Sequence, residues 1–208
     1  MQLRHATALT FEAYVTGRDW KTASLSSCPV CDGSVTGQGT YARKFPKVAH
    51  VARFYCAACK MTIGLLPDFY ASRRPGLLDD IEAAVAVAES APSVEAAAEQ
   101  VRPAEEPEAV TLTSALRWLR RRIAPVHRIL ATVIGLLPGR FEGCAPTVTS
   151  FRERLGTMRV LVALRETCAR HLHALAQPLG LIGAPERRAA PRRRHQQSVG
   201  PDPPARAS

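Results

Sequence analysis

The spacing of apolar positions divides the chain into an extended region and a longer helical one. Near the start, Leu9, Phe11, Tyr14 and Val15 form a weak amphipathic piece within residues 1–27. Thr40 to Phe45 and Val51 to Tyr55 read as short strands, the second running straight into Cys56. After the break at Pro75-Gly76 the period becomes helical. Leu77, Leu78, Ile81, Val85 and Ala88 recur at that spacing behind Asp79 and Asp80, which predicts a helix over about 77–90. Ser93 is the candidate N-cap of a short helix ending at Val101, before Arg102-Pro103. Thr111 or Thr113 can cap a helix over 114–122, with Leu116, Leu119 and Ile123 as its inward stripe. Pro125 suits a first-turn position, and Val126, Ile129, Leu130, Val133, Ile134 and Leu137 continue an apolar face up to Pro138-Gly139. From Thr147 to Ala176 the spacing of Val148, Phe151, Leu155, Met158, Leu161, Val162, Cys168, Leu172 and Leu175 predicts one long helix. Thr147 or Thr149 would cap it, and Arg165 interrupts its stripe.

The fold class expected is α+β. A small domain with short strands occupies 1–75. A mainly α-helical domain occupies 76–178, with a helix-turn-helix-like part at 77–122 and a helical hairpin at 125–176. A disordered basic tail covers 179–208, where Pro, Arg, Ala and Gln show no periodicity and Arg192, Arg193 and Arg194 cluster.

Chemistry enters with the cysteines. Cys28-Pro29-Val30-Cys31 is followed, after 24 intervening residues, by Cys56-Ala57-Ala58-Cys59. Two residues between paired cysteines let both sulfurs of a tight turn face one centre, and two such turns supply four thiolates to a tetrahedral ion. Cys28, Cys31, Cys56 and Cys59 therefore form a zinc-ribbon pattern. Structural Zn2+ is the expected cofactor, and iron is the competing metal. So small a module needs the ion, because few residues cannot bury an adequate core. Cys144 and Cys168 lie far along the chain in apolar surroundings. Cys168, His171 and His173 do not make a second site, because His173 lies about 200° round a helix from His171; a core cysteine with surface histidines is expected.

The chain has 208 residues, 46% hydrophobic content and a net charge of +10. Residues 76–110 hold 9 acidic and 1 basic side chains between basic regions, so the charge is segregated. A basic field favours polyanions through counterion release, although 24 arginines against 4 lysines is also the composition of a GC-rich genome. No apolar run reaches the roughly 20 residues of a membrane span, and the N-terminus lacks a signal-peptide core. A cytoplasmic protein is expected, and in that reducing compartment vicinal cysteines favour metal over disulfide. No Gly-rich phosphate loop, nucleophile elbow or HExxH motif is present, and the acidic residues crowd into helix surface and linker. No enzymatic activity and no small-molecule substrate are expected.

One stretch resembles a known family. The CPxC pair, Tyr41 with Arg43, Tyr55 leading into CxxC, Thr62, Leu65-Leu66-Pro67 with Phe69, and Arg73-Arg74 are together similar to the zinc-ribbon start of a family of uncharacterised bacterial proteins related to insertion-sequence transposases. The resemblance implies a ribbon followed by a helix-turn-helix, and DNA binding in a mobile-element context. It covers at most residues 25–122. The link from Val101 to Leu112 is far longer and more acidic than the 3–4 residues of a standard turn, so either the recognition unit tolerates an insertion or the helix-turn-helix is degenerate.

The expected partner is double-stranded DNA. In a recognition helix, Arg117, Arg120, Arg121 and Arg122 would project toward a major groove, where a guanidinium fork can pair with guanine or phosphate. Arg43, Arg53, Arg73 and Arg74 would add contacts from the ribbon. The alternative is a protein-interaction adaptor that binds a partner through the ribbon and forms a homodimer through its last helices. A ribbon selective for single-stranded RNA is a third reading.

Overall fold

A computed structural model describes residues 1–44, 48–102 and 111–181. The acidic link at 103–110 and the tail from 182 onward lie outside these residues, as does the expected end of the first strand at Phe45. The chain begins with β1 (Gln2–His5) and α1 (Phe11–Gly17), then forms β2 (Val35–Arg43), β3 (Ala49–Cys56) and β4 (Met61–Pro67). The strands make one sheet in the order β1-β4-β3-β2, with β2, β3 and β4 antiparallel and β1 parallel to β4.

Two of these strands were not anticipated. β4 carries five consecutive buried residues, Ile63 to Pro67, because strands flank it on both sides and side chains cover both its faces. Such a strand shows no alternation. β1 is four residues long, too short for a period, and is held by pairing to a segment some sixty residues away, Leu3 opposite Leu65. The weak amphipathic piece is α1. It buries Phe11 and Tyr14 against Ala49, Val51, Leu66, Phe69 and Tyr70, and the Tyr14 hydroxyl donates to the His50 carbonyl at 3.0 Å.

Six helices follow: α2 (Leu78–Ser90), α3 (Val94–Val101), α4 (Leu112–Leu136), α5 (Pro138–Phe141), α6 (Val148–Leu155) and α7 (Val160–Thr167). Ser93, Thr111 and Thr147 cap α3, α4 and α6, each side-chain oxygen accepting from the backbone N–H three residues on. Helices α2, α4, α6 and α7 close over one core, built from Leu78, Ile81, Val85, Val126, Ile129, Val133, Phe151, Leu161 and Leu164 among others. The apolar faces of the later helices are thus used within a single chain.

Two helical expectations are corrected. The helices expected at 114–122 and from Pro125 are one, α4, with Pro125 inside it. A proline there removes one rung of the ladder at a cost of about 3 kcal/mol. Leu119 before it and Val126, Ile129, Leu130 and Val133 after it, all buried on one face, offset that loss. The long helix expected over 147–176 is instead α6, α7 and a 3-10 turn at Ala169–His171. Gly156, left-handed at φ 63, ends α6 and turns the chain.

The acidic stretch is not simply a solvated surface. The Glu82 carboxylate is buried, accepts from the Leu161 N–H at 2.9 Å at the start of α7, and pairs with Arg152. Glu89 does the same for α6, accepting from the N–H groups of Val148 at 2.7 Å and Thr149 at 3.0 Å. Two carboxylates of α2 therefore satisfy the open N-termini of two later helices, where helix dipoles also favour negative charge.

Sheet and helices are joined by Arg165. Its guanidinium is fully buried and donates to the carbonyls of Pro67, Asp68 and Tyr70 after β4, and of Pro178 and Leu179 near the end of the described chain.

Candidate metal centre and basic face

Each cysteine pair occupies a tight turn at a strand end. Cys28 and Cys31 precede β2, while Cys56 and Cys59 lie on the turn from β3 to β4. After the second cysteine of each pair the chain goes left-handed, at Asp32 (φ 55) and at Lys60 (φ 53), which sends it sharply back. Gly33 follows the first turn, and a Cβ there would meet the Cys31 Sγ at 3.2 Å, so the missing side chain gives the sulfur its room. The Cys28 N–H donates to the Gly33 carbonyl and the Asp32 N–H to the Cys28 carbonyl, closing the turn.

The two turns face each other. Cys31 and Cys56 sulfurs are 3.6 Å apart, Cys28 and Cys59 sulfurs 3.9 Å, and all four lie within 4.8 Å of one another. A disulfide would need about 2.05 Å, and all four are free thiols. Zinc–sulfur bonds of about 2.3 Å in a tetrahedron put the sulfurs about 3.8 Å apart. The observed separations match a shared ion.

The electrostatics agree. Backbone N–H groups, first that of Val30 and then that of Cys31, pull the Cys28 thiol down to about 7. The Cys59 thiol is pushed up to about 12, chiefly by its hydrogen bond to Cys31 and then by burial and the other sulfurs. Four sulfurs this close cannot all ionise unless a cation compensates them. These cysteines can hold a metal ion, and the four would fill a tetrahedral shell and leave no position for a substrate. Among the described residues no other group of histidine, cysteine and carboxylate side chains gathers in this way. Cys168 is buried in the helical core and His173 is exposed, as expected for those residues.

No family model, curated protein or solved structure matches this chain.

The arginines singled out in the sequence have different positions. On α4, Arg117 and Arg121 are exposed and share a helical face that continues to Arg128, at steps of four and seven residues. The opposite face is the buried one. Arg120 is exposed but paired with Glu95 of α3 at 2.8 Å. Arg122 does not project outward. It is buried, stacks over the Trp118 ring at 3.7 Å and donates to the Trp118 carbonyl at 2.9 Å. Burial, with repulsion from Arg74 and Arg121, brings Arg122 down to about 10.

From the sheet side, Arg43 at the end of β2 lies over the Tyr70 ring at 4.7 Å and donates to the Arg74 carbonyl at 2.6 Å. Arg43, Lys44, Arg73 and Arg74 line one cleft of about 340 Å³; Arg73 and Arg74 also line a second of about 440 Å³ with Arg128 and His173. Arg53, half-buried on β3 opposite Gly64, lines neither cleft.

The structure thus brings Arg43, Arg73, Arg74 and Arg128 together around two clefts that share Arg73 and Arg74, continues the exposed face of α4 from Arg128 to Arg121, and leaves Arg53 and Arg120 out. Among the described residues, no carboxylate forms an ion pair with any of the five; the ion pairs present join Asp68, Asp79, Glu82, Glu89, Glu95 and Glu99 to other partners. Arg128 and His173 were missed in the sequence as members of the basic face, whereas Lys44 belongs to the aromatic-basic mixture between the cysteine pairs. Arg128 follows Arg121 by seven residues, a signal hidden by ending the helix at 122.

Proposed function

We propose that this chain is a zinc-dependent DNA-binding protein, transposase-like or regulator-like, with no catalytic domain of its own. Zn2+ on Cys28, Cys31, Cys56 and Cys59 completes a ribbon of β2, β3 and β4, which holds Arg43 and the loop after β4 in place. The observation that carries the reading is the uncompensated cluster of Arg43, Arg73, Arg74, Arg121 and Arg128. Arg73, Arg121 and Arg128 are exposed and Arg43 and Arg74 half-buried, so the face presents unpaired positive charge to solvent, where a polyanion would compensate it. The Arg117–Arg121–Arg128 stripe runs about 16 Å along α4, a length suited to following phosphates along a duplex. The helix-turn-helix reading reduces here to α2, the short turn at Ala91–Ser93, α3 and the long α4, with α4 as the contacting element.

The test is a fluorescence anisotropy titration of the full chain against random-sequence duplex at about 50 mM and about 200 mM salt. Five phosphate contacts imply a loss of affinity of more than about a hundredfold across that range. Binding that is absent, or insensitive to salt, would remove the proposal.

One feature favours the adaptor reading. A cleft of about 460 Å³ lined by Leu3, Pro29, Val30, Leu172 and Leu181 lies beside the first cysteine turn and could take an apolar side chain of a partner protein.

A further inference from the structure

Within the basic face, the second of the two clefts differs from a ridge of surface arginines. It is concave, with guanidinium groups from two separate elements: Arg73 and Arg74 from the loop after β4, and Arg128 from α4. His173 adds a further nitrogen donor, and Leu175 and Leu181 also line the cleft.

Its walls are fixed from behind. Arg165 donates both to the Tyr70 carbonyl at 2.6 Å, below the arginine loop, and to the carbonyls of Pro178 and Leu179, in the opposing wall. The Ser72 N–H donates to the Pro178 carbonyl at 2.8 Å, joining the two walls directly. Arg43 holds the Arg74 carbonyl from the other side. The cleft is therefore preformed, so a ligand need not order it.

Two residues in it are retained at a cost. Arg73 sits at φ 56, in the left-handed region that a side chain other than Gly, Asn or Asp rarely adopts, which costs about 1 kcal/mol or more. The Arg74 Nε is buried without a hydrogen-bond partner. Glycine would serve the turn better at 73, and a shorter apolar side chain would avoid the orphaned donor at 74. The pair fits a role in which both guanidinium groups have an anion to hold.

We infer that this cleft binds the terminal phosphate of a nucleic-acid strand. This rests on the proposed DNA-binding function and specifies how one part of the face is used. An internal phosphodiester carries a sugar on both sides and a single charge, and seating it in the cleft would bring both sugars with it. A terminal phosphomonoester has one ester link, enters end-on and carries close to two negative charges at neutral pH. Three guanidinium groups offer the forked donors that suit its oxygens.

The test compares three DNAs of one sequence with the full chain: a linear duplex with 5′-phosphates, the same duplex with 5′-hydroxyls, and a covalently closed circle without ends. A second linear pair carries the phosphate at the 3′ end. We expect a phosphorylated end to bind about tenfold more tightly than the hydroxyl end. Arg73→Gly, which removes the charge and relieves the backbone, should abolish that preference. So should Arg128→Ala on the other wall. Each variant also removes one contact of the basic face, so it should weaken the circle and the hydroxyl-ended duplex by a similar factor, and the end preference is read as the ratio of affinities for the phosphorylated and hydroxyl ends. Equal affinity for phosphate and hydroxyl ends, alongside salt-sensitive binding of the circle, would overturn the terminal-phosphate site and leave DNA binding standing. No binding to any of the DNAs would overturn both. Competition by inorganic phosphate that releases only the phosphorylated linear duplex also supports the site, whereas equal release of the circle would count against it.

Discussion

Arg165 shows most clearly what a single residue does in this fold. A buried guanidinium is expensive, and desolvation brings it down to about 10. Five carbonyl oxygens from two segments surround it, so it acts as a polar peg between the sheet and the helices. Arg165→Met keeps much of the volume and leaves those carbonyls unsatisfied. We expect a loss of at least about 3 kcal/mol in urea unfolding, and loss of any anion preference of the cleft it supports. From sequence, Arg165 is only a polar break in a helical stripe, because one dimension cannot show which carbonyls converge on it. Arg122 was misjudged for a related reason. At a position adjacent to Arg121 it looks equally exposed, but the 100° step between neighbours puts it on the inward face against Trp118. Charge reversal at Arg121 should therefore weaken duplex binding by about tenfold, whereas Arg122→Leu should chiefly alter stability. Parallel DNA titrations and melting curves on the two variants separate these effects.

At the scale of elements, legibility followed the length of the local signal. The caps Ser93, Thr111 and Thr147 were readable because a cap is a contact over three residues. Helix α2 was readable from its stripe and its first-turn carboxylates. β1 was not, since its only support is pairing with β4 across the sequence. The break between α6 and α7 was visible in principle at Gly156, but the apolar spacing on either side happens to stay in phase and masked it. Pro125 misled in the opposite direction, because tertiary packing overrode the local preference to stop. Pro125→Ala should accordingly stabilise the chain by about 1–3 kcal/mol, restoring one backbone hydrogen bond in α4. Chemical denaturation would register this. An unchanged or lower midpoint would show that the proline is needed for packing beside the cleft it lines.

At the scale of the molecule, the structure is a sheet carrying a four-cysteine centre at one end, joined to a helical core by buried polar contacts. No helix among the described residues is long and apolar enough to cross a membrane. The cysteine centre was fully legible, because the CxxC spacing encodes a local turn and two such turns need only one fold to meet. The basic face was legible only in part. Arg43, Arg73, Arg74 and Arg121 could be named from sequence, but their assembly with Arg128 depends on α4 being continuous and on Arg165 positioning the loop. The proposed DNA-binding role depends on both features, since the cysteine turns fix the strands from which Arg43 and the 73–74 loop project.

The most direct test of that dependence is native mass spectrometry of the purified chain, with Cys56→Ser as the comparison. One zinc ion per chain is expected, retained through desalting and absent from the variant. A parent chain with no bound metal, or one whose mass shows the paired cysteines oxidised to disulfides, would contradict the shared centre on which the sheet and its basic face are built.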